Sequence, residues 1–367
     1  MMMMRTRRHA FLIAVATIAS IAFSACGGDS SARSVAPTAG PARSFMMGVS
    51  TLPRALNAAA YADTFRLASE NGEMVLIQRT PPWADFVPGA DISEETAKTT
   101  ASERDAVASK KLHLFFAIDP TDGSTGRDRL ANLPGSLAGK NFGDSAVRSA
   151  FISYAEYVAL NYKPAYIALG VEMNLYLQKN KDDAASFESL YRETYDRVKQ
   201  ASPATQVTVT FQYEDLLGQL PTQDQHYAEW PLIQQFDSKL DVLAISSYPS
   251  FVFSRASDIP DTYYSRLRGF TSKPIVLAQT GYASAAGAEG FNNGTEDEQT
   301  AFVRRALTEA QNLQMPFLIW FAGWDPSYAK DTPFGVFQHI GLLRDDNSEK
   351  PAWAPWAEAA RRPYVAP

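Results

Sequence analysis

With 367 residues the chain exceeds an ordinary single domain, yet it suits one β/α barrel with long loops. Hydrophobic residues make up 46% and aromatic residues 12%, enough to bury a large core, which excludes global disorder. A net charge of −6 without a basic cluster speaks against nucleic acid as a partner.

The first residues stand apart from that core. Arg5, Arg7 and Arg8 precede an apolar run over 11–23 that is too short to span a bilayer. It ends Phe23-Ser24-Ala25-Cys26-Gly27-Gly28, with small residues ahead of the only cysteine. This resembles a bacterial lipoprotein signal in which Cys26 becomes the lipidated residue; a plain secretory signal with an incidental cysteine is the alternative. Gly27 rather than Asp after Cys26 points, by similarity to bacterial sorting rules, to the outer membrane of the cell envelope. One cysteine leaves no intramolecular disulfide, so the fold relies on its core. Residues 27–44, rich in Gly, Ser, Ala and Pro and without periodicity, read as a flexible tether. The expected organisation is signal 1–26, tether 27–44 and one folded unit 45–367.

Short apolar runs then alternate with longer helical patterns. A first strand over 45–49 is followed by a helix over 54–70. A second strand, 74–77, leads into Gln78-Arg79 and the turn at Pro81-Pro82-Trp83. A polar helix over 93–110 precedes a third strand, 112–118, which ends in Asp119-Pro120. The loop 121–143 carries five glycines, too many for a regular element. Asp144 then caps an amphipathic helix to about 162, with Val147, Phe151, Tyr154 and Val158 on one face. The fourth strand, 165–169, ends in Gly170-Val171-Glu172, where the glycine permits close approach to the backbone. A helix over 184–200 leads to a fifth strand, 206–211, running into Gln212-Tyr213-Glu214. The sixth strand, 241–245, ends in Ser246-Ser247-Tyr248-Pro249. A helix over 261–270 leads to the seventh, 274–278, which ends in Gln279. Thr295 and Glu298 form a capping box opening a helix to about 312. The eighth strand, 316–320, ends in Phe321-Ala322-Gly323-Trp324, and a last helix covers 353–361. Eight continuous apolar strands alternating with helices predict a parallel sheet buried on both faces, closed as a single (β/α)8 barrel.

The residues just past each strand converge on one mouth in such a barrel. They comprise Arg79 and Trp83, Asp119, Glu172 and Asn174, Gln212 and Glu214, Tyr248, Gln279 and Tyr282, and Trp320 and Trp324. Aromatics with acids and amides suit a polyhydroxylated ring. Trp and Tyr faces cover the apolar surface of a sugar, while acids and amides exchange hydrogen bonds with its hydroxyls. The four histidines, His9, His113, His226 and His339, are scattered and form no metal-ligand spacing. There is no phosphate loop, dinucleotide fingerprint or Gly-x-Ser-x-Gly elbow, so no cofactor is expected.

Gly170-Val171-Glu172-Met173-Asn174, the run 241–249 and the run 273–282 together resemble retaining glycoside hydrolases on β/α barrels. These carry their catalytic carboxylates after strands four and seven, and the endo-β-1,4-galactanase type is the nearest in pattern. The resemblance covers about 45–356. It implies Glu172 as acid/base, Arg79 as support for the nucleophile, and a β-linked glycan as ligand. Two positions depart from the pattern. Val171 stands where the family has an Asn that bonds the sugar 2-hydroxyl, and Gln279 occupies the nucleophile position. Retention needs a second carboxylate about 5–5.5 Å from the acid/base, and a neutral amide cannot serve. An inverting base about 6.5–9.5 Å away is the remaining route, with Glu214, Asp119 and Glu289 as candidates. The expectation is therefore a glycoside-hydrolase-like lipoprotein with a degenerate site, against a non-catalytic glycan-binding or purely structural envelope protein.

Overall fold

The computed structural model describes residues 40–287 and 291–366. The expected signal, Cys26 and residues 27–39 of the tether lie outside the described residues, as does Glu289. Nine parallel strands form one sheet: β1 (Met46–Ser50), β2 (Met74–Arg79), β3 (His113–Ile118), β4 (Tyr166–Ala168), β5 (Gln206–Thr208), β6 (Thr210–Gln212), β7 (Leu243–Ser247), β8 (Ile275–Thr280) and β9 (Phe317–Trp320). Their order is β5-β4-β3-β2-β1-β9-β8-β7-β6. The two ends of that series are halves of one run, broken at Val209. The first half pairs with β4 and the second with β7. Across the break, Thr210 N–H donates to Gly170 O at 3.1 Å and Asp241 N–H to Val207 O at 2.9 Å. Both neighbours are thus stitched to the same run and the ring comes round on itself. The barrel is the eightfold α/β plan expected, with its fifth strand in two pieces.

Around it lie α1 (Ala58–Glu70), α2 (Glu94–Ser109), α3 (Ser145–Asn161), α4 (Met173–Lys179), α5 (Ala184–Ala201), α6 (Tyr213–Leu216), α7 (Trp230–Phe236), α8 (Glu296–Asn312) and α9 (Trp353–Ala360). Side chains of Asn57, Ser93, Asp144 and Thr295 cap α1, α2, α3 and α8, satisfying backbone N–H groups that a helix start leaves open. Two expectations need correction. Residues 261–270 hold a short 3-10 turn, Ser265–Gly269, instead of an α-helix. At α8 Thr295 does accept from Glu298 N–H, but the Glu298 carboxylate takes Ala256 N–H at 2.6 Å and does not reach back.

Alternation along the strands sorts side chains into two cores. Met74 and Leu76, Phe115 and Ala117, Val276 and Ala278, Phe317 and Ile319 fill the barrel. Their neighbours Val75, Ile77, Leu277, Leu318 and Trp320 face the helices. Gly170, just past β4, is needed for packing: a Cβ there would lie 2.5 Å from Met173 Cγ, so the first residue of α4 folds back onto the strand end.

Candidate functional site

Glu172 lies four residues past the end of β4, immediately before α4, and sits in left-handed backbone, φ 51° and ψ 45°, a conformation a non-glycine residue adopts at a cost. Its N–H is fixed by Thr210 Oγ1 at 2.8 Å, so the break in the fifth strand also anchors the Glu172 turn. The loop after β3 brings Arg127, likewise left-handed with φ 65°, onto this carboxylate. Arg127 Nε donates to Glu172 Oε2 at 2.9 Å, and Nη1 donates to Asp119 Oδ1 at 2.6 Å and Thr121 Oγ1 at 2.9 Å. Burial opposes the Arg127 charge, but the two carboxylates outweigh it and hold its pKa above the ordinary arginine value. Lys179 and Asn180 reach from the end of α4 to Gly126 O and Asp128 O at 2.5 and 3.1 Å, clamping the tip of that loop.

From Asp119 the contacts continue to position 279. Gln78 Nε2 donates to Asp119 Oδ2 at 2.7 Å, Gln279 Nε2 donates to Gln78 Oε1, and Tyr248 O–H donates to Gln279 Oε1 at 3.1 Å. Burial first, then the charges of Glu172 and Glu214, push the Tyr248 phenol well above its usual pKa, so it remains a donor. Strict alternation along β8 would turn Gln279 outward with Leu277. A register shift opposite Ile245/Ser246 breaks the alternation and aims Gln279 into the mouth.

Glu172, Asp119, Tyr248 and Gln279 are therefore gathered at the C-terminal rim. Other predicted site residues are not. Arg79 faces the helices, where it pairs with the buried Glu103 at 2.5 Å beside Tyr162; Gln78 takes the place beside 279. The tryptophans expected at the mouth are core residues: Trp83 is 1% exposed, Trp320 0% and Trp324 2%. Their indole N–H groups are spent on Ala131 O, Ile340 O and Asn347 Oδ1. Tyr282 is buried with its hydroxyl on Phe253 O, against Phe302 of α8. Asn174 bridges Gln212 backbone and Asp215, while Gln212 caps α6 and bonds Glu214. Val171 is buried in the barrel interior.

Glu214 is sealed at 0% exposure and accepts from Gln212 Nε2, Ser247 Oγ, Tyr248 N–H and Tyr263 O–H. Burial raises its pKa against the lowering by those donors. With every lone-pair direction engaged it is a structural acid, removed from the part of inverting base.

What the strand-end rule missed is an apolar wall beside the polar row. Leu52, Phe251, Phe321 and Phe337, all partly exposed, pack with Tyr248 and Ile340. These side chains come from loops after β1, β7 and β9, where a lone Phe carries no sequence signal. Phe334 of the β9 loop also lies against Gly123 of the β3 loop, so the two loops meet beside the mouth. Among the described residues no group of three or more His, Cys, Asp or Glu is placed to hold a metal ion.

No protein-family model and no curated protein matches the sequence. Solved structures do. GH5_18 from Bifidobacterium longum subsp. longum ATCC 55813, bound to Manβ1-4GlcNAc, aligns with TM-score 0.62 at 17% identity over 88% of this chain and 80% of that one. The exo-β-1,4-mannosidase Op5Man5 from Opitutaceae bacterium strain TAV5 aligns with TM-score 0.65 at 16% identity, over 87% of this chain and 60% of that one. A family 39 glycoside hydrolase from Bacteroides cellulosilyticus WH2 gives 0.57 at 15% identity, over 87% and 64%. At such identities the likeness is one of fold: the chain has the barrel of these glycoside hydrolase structures.

Proposed function

We propose that the mouth binds a β-linked oligosaccharide or polysaccharide without cleaving it. The observation that carries this reading is the bonding of Gln279. The amide stands where the resemblance implies a nucleophile, and it is held by Gln78 and Tyr248. A retaining reaction has no second carboxylate there. Glu172 then serves as an acceptor: Oε2 is taken by Arg127, and Oε1 has no protein donor among the described residues and meets a ligand hydroxyl. Gln78 and Gln279 keep second amide hydrogens for ring or hydroxyl oxygens. The wall of Phe251, Phe321, Phe337 and Leu52 covers the ligand's C–H face. The β-1,4 bond is supported by the galactanase-like motifs and by the Manβ1-4GlcNAc bound to a neighbour of the same fold.

We propose further that Cys26 carries the lipid anchor of an exported envelope protein, on the strength of the signal-like segment before it.

Calorimetry of the full chain against β-linked galacto-, manno- and gluco-oligosaccharides, with reducing-end release followed in parallel, tests the binding reading. The expected result is heat of binding, weakened by Glu172→Gln, and no new reducing ends. Hydrolysis abolished by Glu172→Gln and by Asp119→Asn would replace it with an inverting enzyme. No binding to any of the series would leave a structural role.

A further inference from the structure

We propose that Gln78 and Asp119 are positioning residues that hold position 279 uncharged, so that the row Asp119–Gln78–279 accepts one negative charge and not two. The inference follows from the direction of each hydrogen bond. Asp119 is salt-bridged to Arg127 and, as a carboxylate, only accepts. The end of Gln78 facing it must therefore be the NH2 group, as the 2.7 Å contact has it. That choice turns Gln78 Oε1 toward position 279, where only a donor is tolerated, and Gln279 Nε2 supplies it. The far side of the Gln279 amide is then an oxygen, and it meets the Tyr248 hydroxyl. One acceptor at 119 thus sets the polarity of both amides in turn.

A carboxylate at 279 cannot enter this row. It would place an acceptor against Gln78 Oε1. Rotating the Gln78 amide would repair that contact and set Oε1 against Asp119 instead. The conflict moves but does not vanish, and with Gln279 only 3% exposed the two facing acceptors are poorly hydrated. A protonated carboxyl at 279 does fit, since its O–H replaces the amide N–H. Gln279→Glu alone should therefore retain a proton, shared between two coupled carboxyls, and gain no nucleophile.

The arrangement also names the change that relieves it. With Asp119→Asn added, every donor in the row reverses. Arg127 donates to the new amide oxygen at 119, the new NH2 donates to Gln78 Oε1, and Gln78 Nε2 donates to a carboxylate at 279. Tyr248 still donates to that carboxylate. The double variant carries the same formal charge as the native row, displaced by two side chains.

Urea unfolding of the full chain from about pH 4 to about pH 8 reads this out, in the native protein, Gln279→Glu, Asp119→Asn and the double variant. In Gln279→Glu the folded carboxyl keeps its proton above the unfolded value of about 4.3. The unfolded state then ionises first as pH rises, so stability falls relative to the native protein and levels off above the folded value. The expected result is a midpoint equal to native near pH 4, lowered near pH 8, with the lowering suppressed when Asp119→Asn is present. Isotope-edited infrared spectra should show a neutral carboxyl C=O band near pH 7 in the single variant and none in the double. A penalty absent at every pH, or independent of pH, would overturn the proposal. So would one equally large with Asp119→Asn, which would assign the cost to burial and not to the row. Failure of the glycan-binding reading would leave all of these outcomes unchanged, because no ligand enters the measurement.

Discussion

Arg127 is the only cation bonded to both Asp119 and Glu172 among the described residues, and it lies between them with its side chain 8% exposed. Removing it leaves two carboxylates facing each other in a partly desolvated mouth. Arg127→Ala should cost about 3–5 kcal/mol, the usual penalty for breaking a buried pair by deleting one partner. Lysine should not rescue it, since a point ammonium cannot serve Nε and Nη1 contacts in two directions. Chemical denaturation at neutral pH checks this; a loss under about 1 kcal/mol would mean the bridge behaves as a solvated surface pair. Arg127 escaped notice in the sequence because it lies in a glycine-rich loop whose path no periodicity fixes. Glu172 was legible, since the run before it is apolar and the residue past a barrel strand faces the rim; Gln279, inside β8, was found by its motif, and its inward aim depends on a register shift that no sequence pattern marks. Arg79 was misplaced for a reason of parity: Val75 and Ile77 face the helices, so Arg79 does too, and Gln78 is the inward residue.

At the level of elements the same parity explains the tryptophans. Phe317 and Ile319 point into the barrel, which sends Trp320 outward against Phe302 of α8 and Trp356 of α9. Trp320 therefore joins β9 to two helices and is sealed from solvent. Trp320→Ala should destabilise the fold by about 3–5 kcal/mol, the range for emptying a buried aromatic site. Glycan affinity per folded molecule should stay the same. Equilibrium unfolding and calorimetry on one preparation separate the two, and weakened binding at unchanged stability would return Trp320 to the mouth. Strands were readable from their apolar runs, and α3 and α8 from their Asp144 and Thr295 caps; the Asn57 cap went unread, so the helix expected from 54 begins at Ala58. The short α4, α6 and α7 were not readable, being held by tertiary partners: Asn174 and Gln178 of α4 bonded to Asp215, Glu214 of α6 bonded by Ser247 and Tyr263, and Trp230 stacked on Phe270 at 4.2 Å. The aromatic wall was hidden similarly, its members lying in separate loops that only the closed ring brings together.

For the molecule as a whole, closure of the ring sets two opposite faces, and the chain enters on the one away from the site. Arg43 is fixed there: its N–H donates to Pro363 O at 2.8 Å and Val365 N–H donates back to Arg43 O at 2.9 Å. Its guanidinium pairs with Glu73 at 2.6 Å, just ahead of β2. Met46 then begins β1 at the N-terminal edge of the barrel, whereas Glu172, Gln279 and the phenylalanine wall lie past the C-terminal edge. Residues 43–46 thus join the barrel at the edge opposite the mouth. No helix among the described residues is long and apolar enough to cross a membrane. Stable anchoring through lipid takes two signals or chains. Cys26→Ser should therefore move the protein from the membrane pellet to the soluble or uncleaved fraction. Its affinity for the glycan should be unchanged, since the proposed mouth is built from residues past the C-terminal edge of the barrel and does not include position 26. Fractionation of the expressing cells followed by calorimetry on the released protein tests both halves. Retention of the Cys26→Ser protein in the pellet would remove the lipid anchor. Loss of binding on release would show that the mouth depends on the anchor.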